Sequence, residues 1–290
     1  MLDTVRLRVL AAIAAHGSVT KAAEQLHYSQ PSVSHHLARL EAETGVRLVQ
    51  RAGRGIRLTP EGELLARRAT EIVGRLDAAT EELSALVGLH RGRVRVAGFQ
   101  SMLSTLVPLA ATTLASAHPG LELGLIDAHP EVALGMLRDG QVDCAVIFRY
   151  DDTVPDDIRA RHLFDDPMYL LSRRQGEQLT DHRDSPWIAG CEHCRREFVE
   201  ACRVAGFSPR IAYTSDDVIV EQALVAAGLG VTTMPGLALR SHRTAGIEAT
   251  EIPTLRRRVW LATFGAPPDP PATTAFIAAL ETAIARSAIS

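Results

Sequence analysis

The sequence predicts an α/β body behind a small all-α head, the two joined by one long helix. Three observations predict this. Two apolar stripes at helical spacing lie between residues 17 and 51, separated by a short polar turn. An apolar repeat of 3.5 residues then runs from Pro60 to about Gly88. From residue 91 onward, short apolar strands alternate with amphipathic helices.

In the head, Ala22, Ala23 and Leu26 form the first stripe, and His27-Tyr28-Ser29 breaks it. Val33, Leu37 and Leu40 form the second, one face of a helix. Gln30-Pro31 opens that helix, and proline suits a first helical turn, where its missing N–H would be unpaired anyway. Ser32, Ser34, His35, His36 and Arg39 occupy the opposite face. An ordinary amphipathic hairpin would show the same stripes. A short helix presenting Gln, Ser, His and Arg on its outer face also suits a DNA major groove. The candidate DNA contacts are Thr20, Ser29, Gln30, Pro31, Ser32, Ser34, His35 and Arg39.

These residues carry a resemblance. Gly17-Ser18-Val19-Thr20 with Ala22-Ala23, then Ser29-Gln30-Pro31-Ser32-Val33-Ser34, Leu40-Glu41, Gly45, Arg51 and Leu58-Thr59-Pro60-Glu61-Gly62, resemble the winged helix-turn-helix of LysR-type transcriptional regulators. That family commonly has an aromatic residue after Arg47-Leu48. Here Val49 stands there, which predicts a smaller plug under the wing. Residues 51–58 read as the wing, a hairpin whose glycines permit tight turns. Arg54 at its tip is a further candidate DNA contact, to the minor groove or a phosphate.

The connecting helix has no internal proline. Leu65, Ala69, Ile72, Leu76, Ala79, Leu83 and Leu86 alternate at spacings of four and three, the pattern of a coiled-coil seam. A long helix packed on its own chain is the alternative. The resemblance favours pairing, so Leu65, Ile72, Leu76 and Leu83 are candidate dimerisation residues. Two heads set by a two-fold axis would read an interrupted inverted repeat in double-stranded DNA.

The body begins at the strand Gly92–Ala97. Further strands are expected at Leu121–Ile126, Cys144–Phe148, Pro167–Leu171, Ile211–Tyr213, Val231–Met234 and Val259–Phe264. Helices are expected at Leu103–His118, Glu131–Asp139, Arg195–Ala205, Asp217–Ala227 and Ala272–Ala288. The alternation implies parallel sheets covered on both faces. Val107-Pro108-Leu109, residues 137–143 and Ala227-Gly228-Leu229-Gly230-Val231 again resemble the LysR family, whose C-terminal half looks like a periplasmic-type binding protein. The expected division is residues 1–59 for DNA binding, 60–90 for the linker and 91–290 for effector binding. The last contains two doubly wound subdomains, about 91–162 with 265–290, and about 163–264.

Ligands of open α/β sheets sit at the carboxyl ends of strands. By position this gives Gln100, Ser101, Met102, His129, Phe148, Arg149, Thr214, Ser215 and Thr233 as candidate effector contacts. A carboxylate held by Ser101, its helix N-terminus and Arg149 is one chemistry that suits them.

Composition sets the limits. The chain has 290 residues, 46% hydrophobic and 22% charged, as in ordinary soluble domains. No run of eighteen apolar residues and no signal-peptide pattern occurs, so a cytoplasmic location without membrane contact is expected. Net charge is −3, yet residues 1–58 hold eight basic and four acidic side chains, while residues 96–290 hold seventeen and twenty-four. A basic head on an acidic body fits nucleic-acid binding confined to one end. The motifs GxSxG, GxxxxGK[ST] and HExxH are missing, as is a GxGxxG after a strand, so no enzyme, cofactor or metal is expected. The resemblance implies a homodimer or homotetramer that senses a small molecule and contacts RNA polymerase. Cys191-Glu192-His193-Cys194 with Cys202 keeps a redox- or metal-responsive alternative open, against the simpler reading of incidental buried cysteines.

Overall fold

The computed structural model describes residues 2–52, 55–86, 92–265 and 267–287. The head contains α1 (Thr4–His16), α2 (Val19–Gln25) and α3 (Gln30–Thr44), followed by the antiparallel hairpin β1 (Val49–Ala52) and β2 (Gly55–Leu58). Each helix start has a side-chain cap. Asp3 accepts from the Val5 and Arg6 N–H groups, Ser18 from Lys21 and Ser29 from Ser32. Gly17 and Gly45 end α1 and α3 in the left-handed region. Both apolar stripes point inward, where Ala22, Ala23, Val33, Leu37 and Leu40 join Val9, Leu10, Ile13 and Leu48. Val49 packs against the same cluster from the wing.

Thr59 hinges head to linker. Its hydroxyl donates to the Arg47 carbonyl at 2.7 Å and accepts from the Gly62 N–H at 3.0 Å. That caps α4 (Pro60–Leu86). Gly62 is required there, because a Cβ would lie 2.0 Å from the Leu48 carbonyl oxygen. The seam is only partly free. Ala66 belongs to the head core, Leu65 packs against it and Ala69 is buried. Ile72 and Leu76 are 38% and 43% exposed, unusual for large apolar side chains. The Leu83 side chain lies outside the described residues.

The body contains β3 (Gly92–Gly98), α5 (Gln100–Leu103), α6 (Leu106–Ala117), β4 (Leu121–Asp127), α7 (Pro130–Arg138) and β5 (Cys144–Arg149). Then follow β6 (Arg159–Ser172), β7 (Pro186–Ala189), α8 (Glu192–Val204), β8 (Arg210–Thr214), α9 (Val218–Ala226), β9 (Thr232–Pro235), α10 (Gly236–Ser241), β10 (Glu248–Thr263) and α11 (Pro271–Arg286). Six strands form one sheet in the order β4-β3-β5-β10-β6-β9, and β7 and β8 pair separately.

The expectation of purely parallel sheets needs correction. β3 runs parallel to β4 and β5, and β7 to β8, but β10 is antiparallel to both β5 and β6. The reason is topological. β6 carries the chain from the first half of the body to the second, and β10 carries it back, so the two crossing strands run in opposite directions. The expected helix from Leu103 also begins later. Thr105, at φ −122° and ψ −79°, separates the single turn of α5 from α6.

Apolar clusters cover both faces. Met102, Leu106, Phe276 and Leu280 pack on one side of the first half; Leu134, Leu137 and Ile147 pack on the other. In the second half Trp187, Phe198 and Cys202 face one way, Ile188, Val225 and Met234 the other. Each such side chain, fully buried, contributes roughly 1.5–3 kcal/mol.

Candidate functional site

Two surfaces can engage another molecule. The first is the outer face of α3 with the turn before it. Gln30, Pro31, Ser34, His35 and Arg39 are exposed, as is Thr20 on α2. Ser32 is half-buried. Ser29 is the N-cap, its Oγ accepting from the Ser32 N–H at 3.3 Å. His36 stacks on Tyr28, with ring centroids 5.9 Å apart, which fixes the approach to α3. Arg54 lies outside the described residues. The exposed set presents donors and acceptors on a rigid helix, the requirement for reading base edges.

The second is a cavity of about 370 Å³ between the two halves of the body. Among the expected residues, Gln100, Ser101, His129, Phe148 and Thr233 line it. Four do not. Met102 is fully buried in the first-half core. Arg149 does not reach the cavity: the side chain, mostly buried, donates from Nη1 to Glu131 at 2.8 Å. Thr214 borders a neighbouring surface groove. Ser215 accepts from the Asp217 N–H within its own turn. An N-terminal turn and a strand end thus locate the cavity without deciding which neighbouring side chain faces it.

Arg257 on β10 also lines the cavity and had no signal in the sequence, since it sits within the Arg256-Arg257-Arg258 run of a crossing strand. It is 3% exposed. Its Nη2 donates to Asp166 Oδ2 at 2.5 Å and to Ser101 Oγ at 3.0 Å. Its guanidinium lies 4.9 Å from the Phe99 ring centroid and 4.5 Å from that of Phe148. Burial alone would lower its pKa. Asp166, Tyr150 and Cys194 outweigh burial and raise it, so Arg257 is a permanent charge. The opposite wall is acidic, with Asp216, Asp217 and Glu221. Burial pushes the Glu221 carboxyl up to about 8, although Thr232 Oγ1 donates to it at 3.1 Å.

Cys191 and Cys194 line the cavity as well, with sulfurs 3.0 Å apart. Cys202 does not join them: it is buried in the cluster of Trp187 and Phe198. The three thiols therefore do not converge, and among the described residues no group of three or more His, Cys, Asp or Glu side chains is placed to hold a metal ion. Among the described residues, no helix is long and apolar enough to cross a membrane.

Residues 5–63 match the family profile of the bacterial regulatory helix-turn-helix proteins of the LysR family, and residues 88–285 match the LysR substrate binding domain. The chain is 29% identical over 250 residues to the HTH-type transcriptional regulator YofA of Bacillus subtilis, covering 84% of this chain and 85% of that one. It is 29% identical over 272 residues to a probable hydrogen peroxide-inducible genes activator of Mycobacterium avium, covering 90% and 83%. A full-length OxyR variant from Pseudomonas aeruginosa has the same fold, with a TM-score of 0.73 at 24% identity over 98% of this chain and 95% of that one. The two profiles together span residues 5–63 and 88–285, and the chain belongs to the LysR family of transcriptional regulators.

Proposed function

We propose that the chain is a DNA-binding regulator in which the α3 face reads double-stranded DNA and the cavity between the body halves receives a small-molecule effector. The observation that carries the effector reading is the buried cation at the wall of a cavity lined by apolar side chains and a few polar groups. Arg257, backed by Asp166 and touching Ser101, fixes a positive group where the two halves meet. A cavity of about 370 Å³ suits a small metabolite. A carboxylate meeting Arg257 and Ser101 is the effector chemistry we favour. The acidic wall opposite favours a further polar or cationic group on the same molecule.

Two copies paired along α4, where Ile72 and Leu76 stand exposed, would bring two α3 helices to an interrupted inverted repeat. A homotetramer would double this arrangement. An effector preferring one spacing of the halves would shift the placement of the heads, because coupling requires differential affinity for two states. The output would be DNA bending or contact with RNA polymerase in the cytoplasm, with no catalysis.

Site selection from random duplex DNA with the full-length protein tests the head. Enrichment of an interrupted repeat, with affinity falling as salt rises, supports the reading. Equal retention of scrambled duplexes would overturn it. Calorimetric titration with a panel of small carboxylates tests the cavity. The expected result is saturable binding to wild type that Ser101→Leu abolishes while DNA affinity stays unchanged.

A further inference from the structure

The pair Cys191 and Cys194 stands where sequence, local structure and cavity meet. Cys191 is the N-cap of α8, and its sulfur accepts from the Cys194 N–H at 3.4 Å. This cap brings the residue at the third helical position, Cys194, to a sulfur–sulfur distance of 3.0 Å. That is about 1 Å beyond a disulfide bond, so a small rotation of either side chain closes it. Both sulfurs border the cavity. Cys194 also packs against the core of the first body half, although α8 belongs to the second.

The four thiols of the chain differ in kind. Cys144 and Cys202 are fully buried, and burial drives both thiols upward, Cys202 to about 12. They are inert at neutral pH. Cys191 is half-exposed; the Cys194 thiol and backbone N–H stabilise its anion, and its pKa falls to about 6. Cys194 is raised, first by its hydrogen bond with Cys191 and then by burial, while Arg257 and the Tyr150 hydroxyl oppose the rise. One thiolate and one protonated partner thus face the same space.

We propose that Cys191 and Cys194 form a reversible dithiol–disulfide switch inside the cavity, with a hydroperoxide as the oxidant. The Cys191 thiolate attacks one peroxide oxygen and the O–O bond breaks. Cys191 becomes a sulfenic acid, and the other oxygen leaves as an alcohol, or as water from hydrogen peroxide, taking up a proton. Oxidation removes the Cys191 anion that kept Cys194 protonated, and Arg257 then favours the Cys194 thiolate. The Cys194 sulfur attacks the Cys191 sulfur, the S–S bond forms, and water leaves with the proton Cys194 gave up. The balance is one dithiol and one hydroperoxide giving one disulfide, one alcohol or water, and one water. The new bond would draw in the first turn of α8 and remove the cap on the Cys194 N–H. The switch depends on the cavity and not on which effector enters it.

The test uses full-length reduced protein, hydrogen peroxide as oxidant, and non-reducing peptide mass mapping after alkylation. Wild type should lose two of its four alkylatable thiols and yield a Cys191–Cys194 link that a dithiol reductant reverses. Cys202→Ser should behave like wild type. Cys194→Ser should stop at a sulfenic acid on Cys191 that a dimedone probe traps, and Cys191→Ser should form no link. A link containing Cys202, a link between chains, or four thiols still alkylated when peroxide-treated wild type is unfolded would each overturn the proposal.

Discussion

Gly74 and Gly140 meet backbone to backbone where the linker crosses the body. A Cβ on Gly74 would lie 2.7 Å from the Gly140 Cα, and a Cβ on Gly140 would lie 2.8 Å from the Gly74 Cα. The contact is reinforced on one side by Arg75, whose guanidinium sits 5.5 Å from the Phe264 ring centroid. Gly140 also needs glycine for its φ of +66°. The linker is thus seated on the turn after α7, not merely tethered to the body. Gly74→Ala should lift α4 from that turn at a cost of about 1–3 kcal/mol, the usual range for overpacking. Hydrogen exchange should speed up around residues 71–78 and 138–141. Gly135→Ala is the control, because nothing lies within 4 Å of its added Cβ. Equal exchange in Gly74→Ala and wild type would mean that the Gly74–Gly140 contact does not hold α4 on the body.

The buried pair beneath the cavity leads to a second expectation. Arg257 and Asp166 are 3% and 2% exposed, and Asp166 also accepts from the Leu237 N–H at 3.0 Å. Removing one partner leaves a buried charge uncompensated. Asp166→Asn should therefore destabilise the body by about 3–5 kcal/mol, read as a lower urea midpoint. The double variant Asp166→Leu with Arg257→Met should recover part of that loss. A double variant as unstable as the single one would mean that the charge pair is not what the fold depends on there.

How legible this was in the sequence varies by element. In the head, α2 and α3 were legible because their stripes and the proline of α3 are local, whereas α1, which supplies Val9, Leu10 and Ile13 to the same core, was not read. Ser29, Pro31, Val33 and Leu37 each announce a position. The crossing strands were legible only in part: Pro167–Leu171 and Val259–Phe264 were expected, but not the charged stretches before them. β6 begins Arg159-Ala160-Arg161-His162, and β10 holds Arg256-Arg257-Arg258. The charges of those stretches are satisfied across the sheet, as in Arg256–Asp165 and Arg257–Asp166, so only the second half of each strand reads as an apolar run. The cavity inherits that difficulty. Its Arg257 comes from the charged stretch of a strand, and its Glu221 from the helix α9, where a carboxylate carries no local sign of burial. Arg149, which the sequence favoured, has its partner in Glu131 on the preceding helix, α7, a pairing no local pattern encodes.

On the head, exposure separates contact from fold. Ser34 and Arg39 are exposed on α3, whereas Ser29 caps it. Ser34→Ala and Arg39→Ala should weaken operator binding with no change in melting temperature. If Arg39 grips a phosphate, its loss should also reduce the slope of log affinity against log salt by about 1. Ser29→Ala should instead cost about 0.5–2 kcal/mol of head stability in addition to any loss of binding. A melting temperature that falls equally in all three variants would place Ser34 and Arg39 among the structural residues.

Glu221 gives the body a pH dependence of definite sign. It is 5% exposed, and burial raises its pKa from an ordinary 4.5 to about 8. In the unfolded chain the carboxyl loses its proton near 4.5; in the folded chain it keeps it until about 8. Between those values the folded state binds the extra proton, so stability falls as pH rises through that window. The favourable contribution is fully present below 4.5 and is lost by the time pH passes about 8. Glu221→Gln keeps the shape and the Thr232 contact but cannot ionise. The unfolding free energy of wild type, read from urea titrations, should decline from pH 5 to pH 8 by an amount on the order of a few kcal/mol, while that of Glu221→Gln should stay nearly flat. Parallel profiles for the two proteins would show that Glu221 ionises in the folded state as it does in water. The acidic wall of the cavity would then carry a full negative charge at neutral pH, and the effector would need a cationic group to match it.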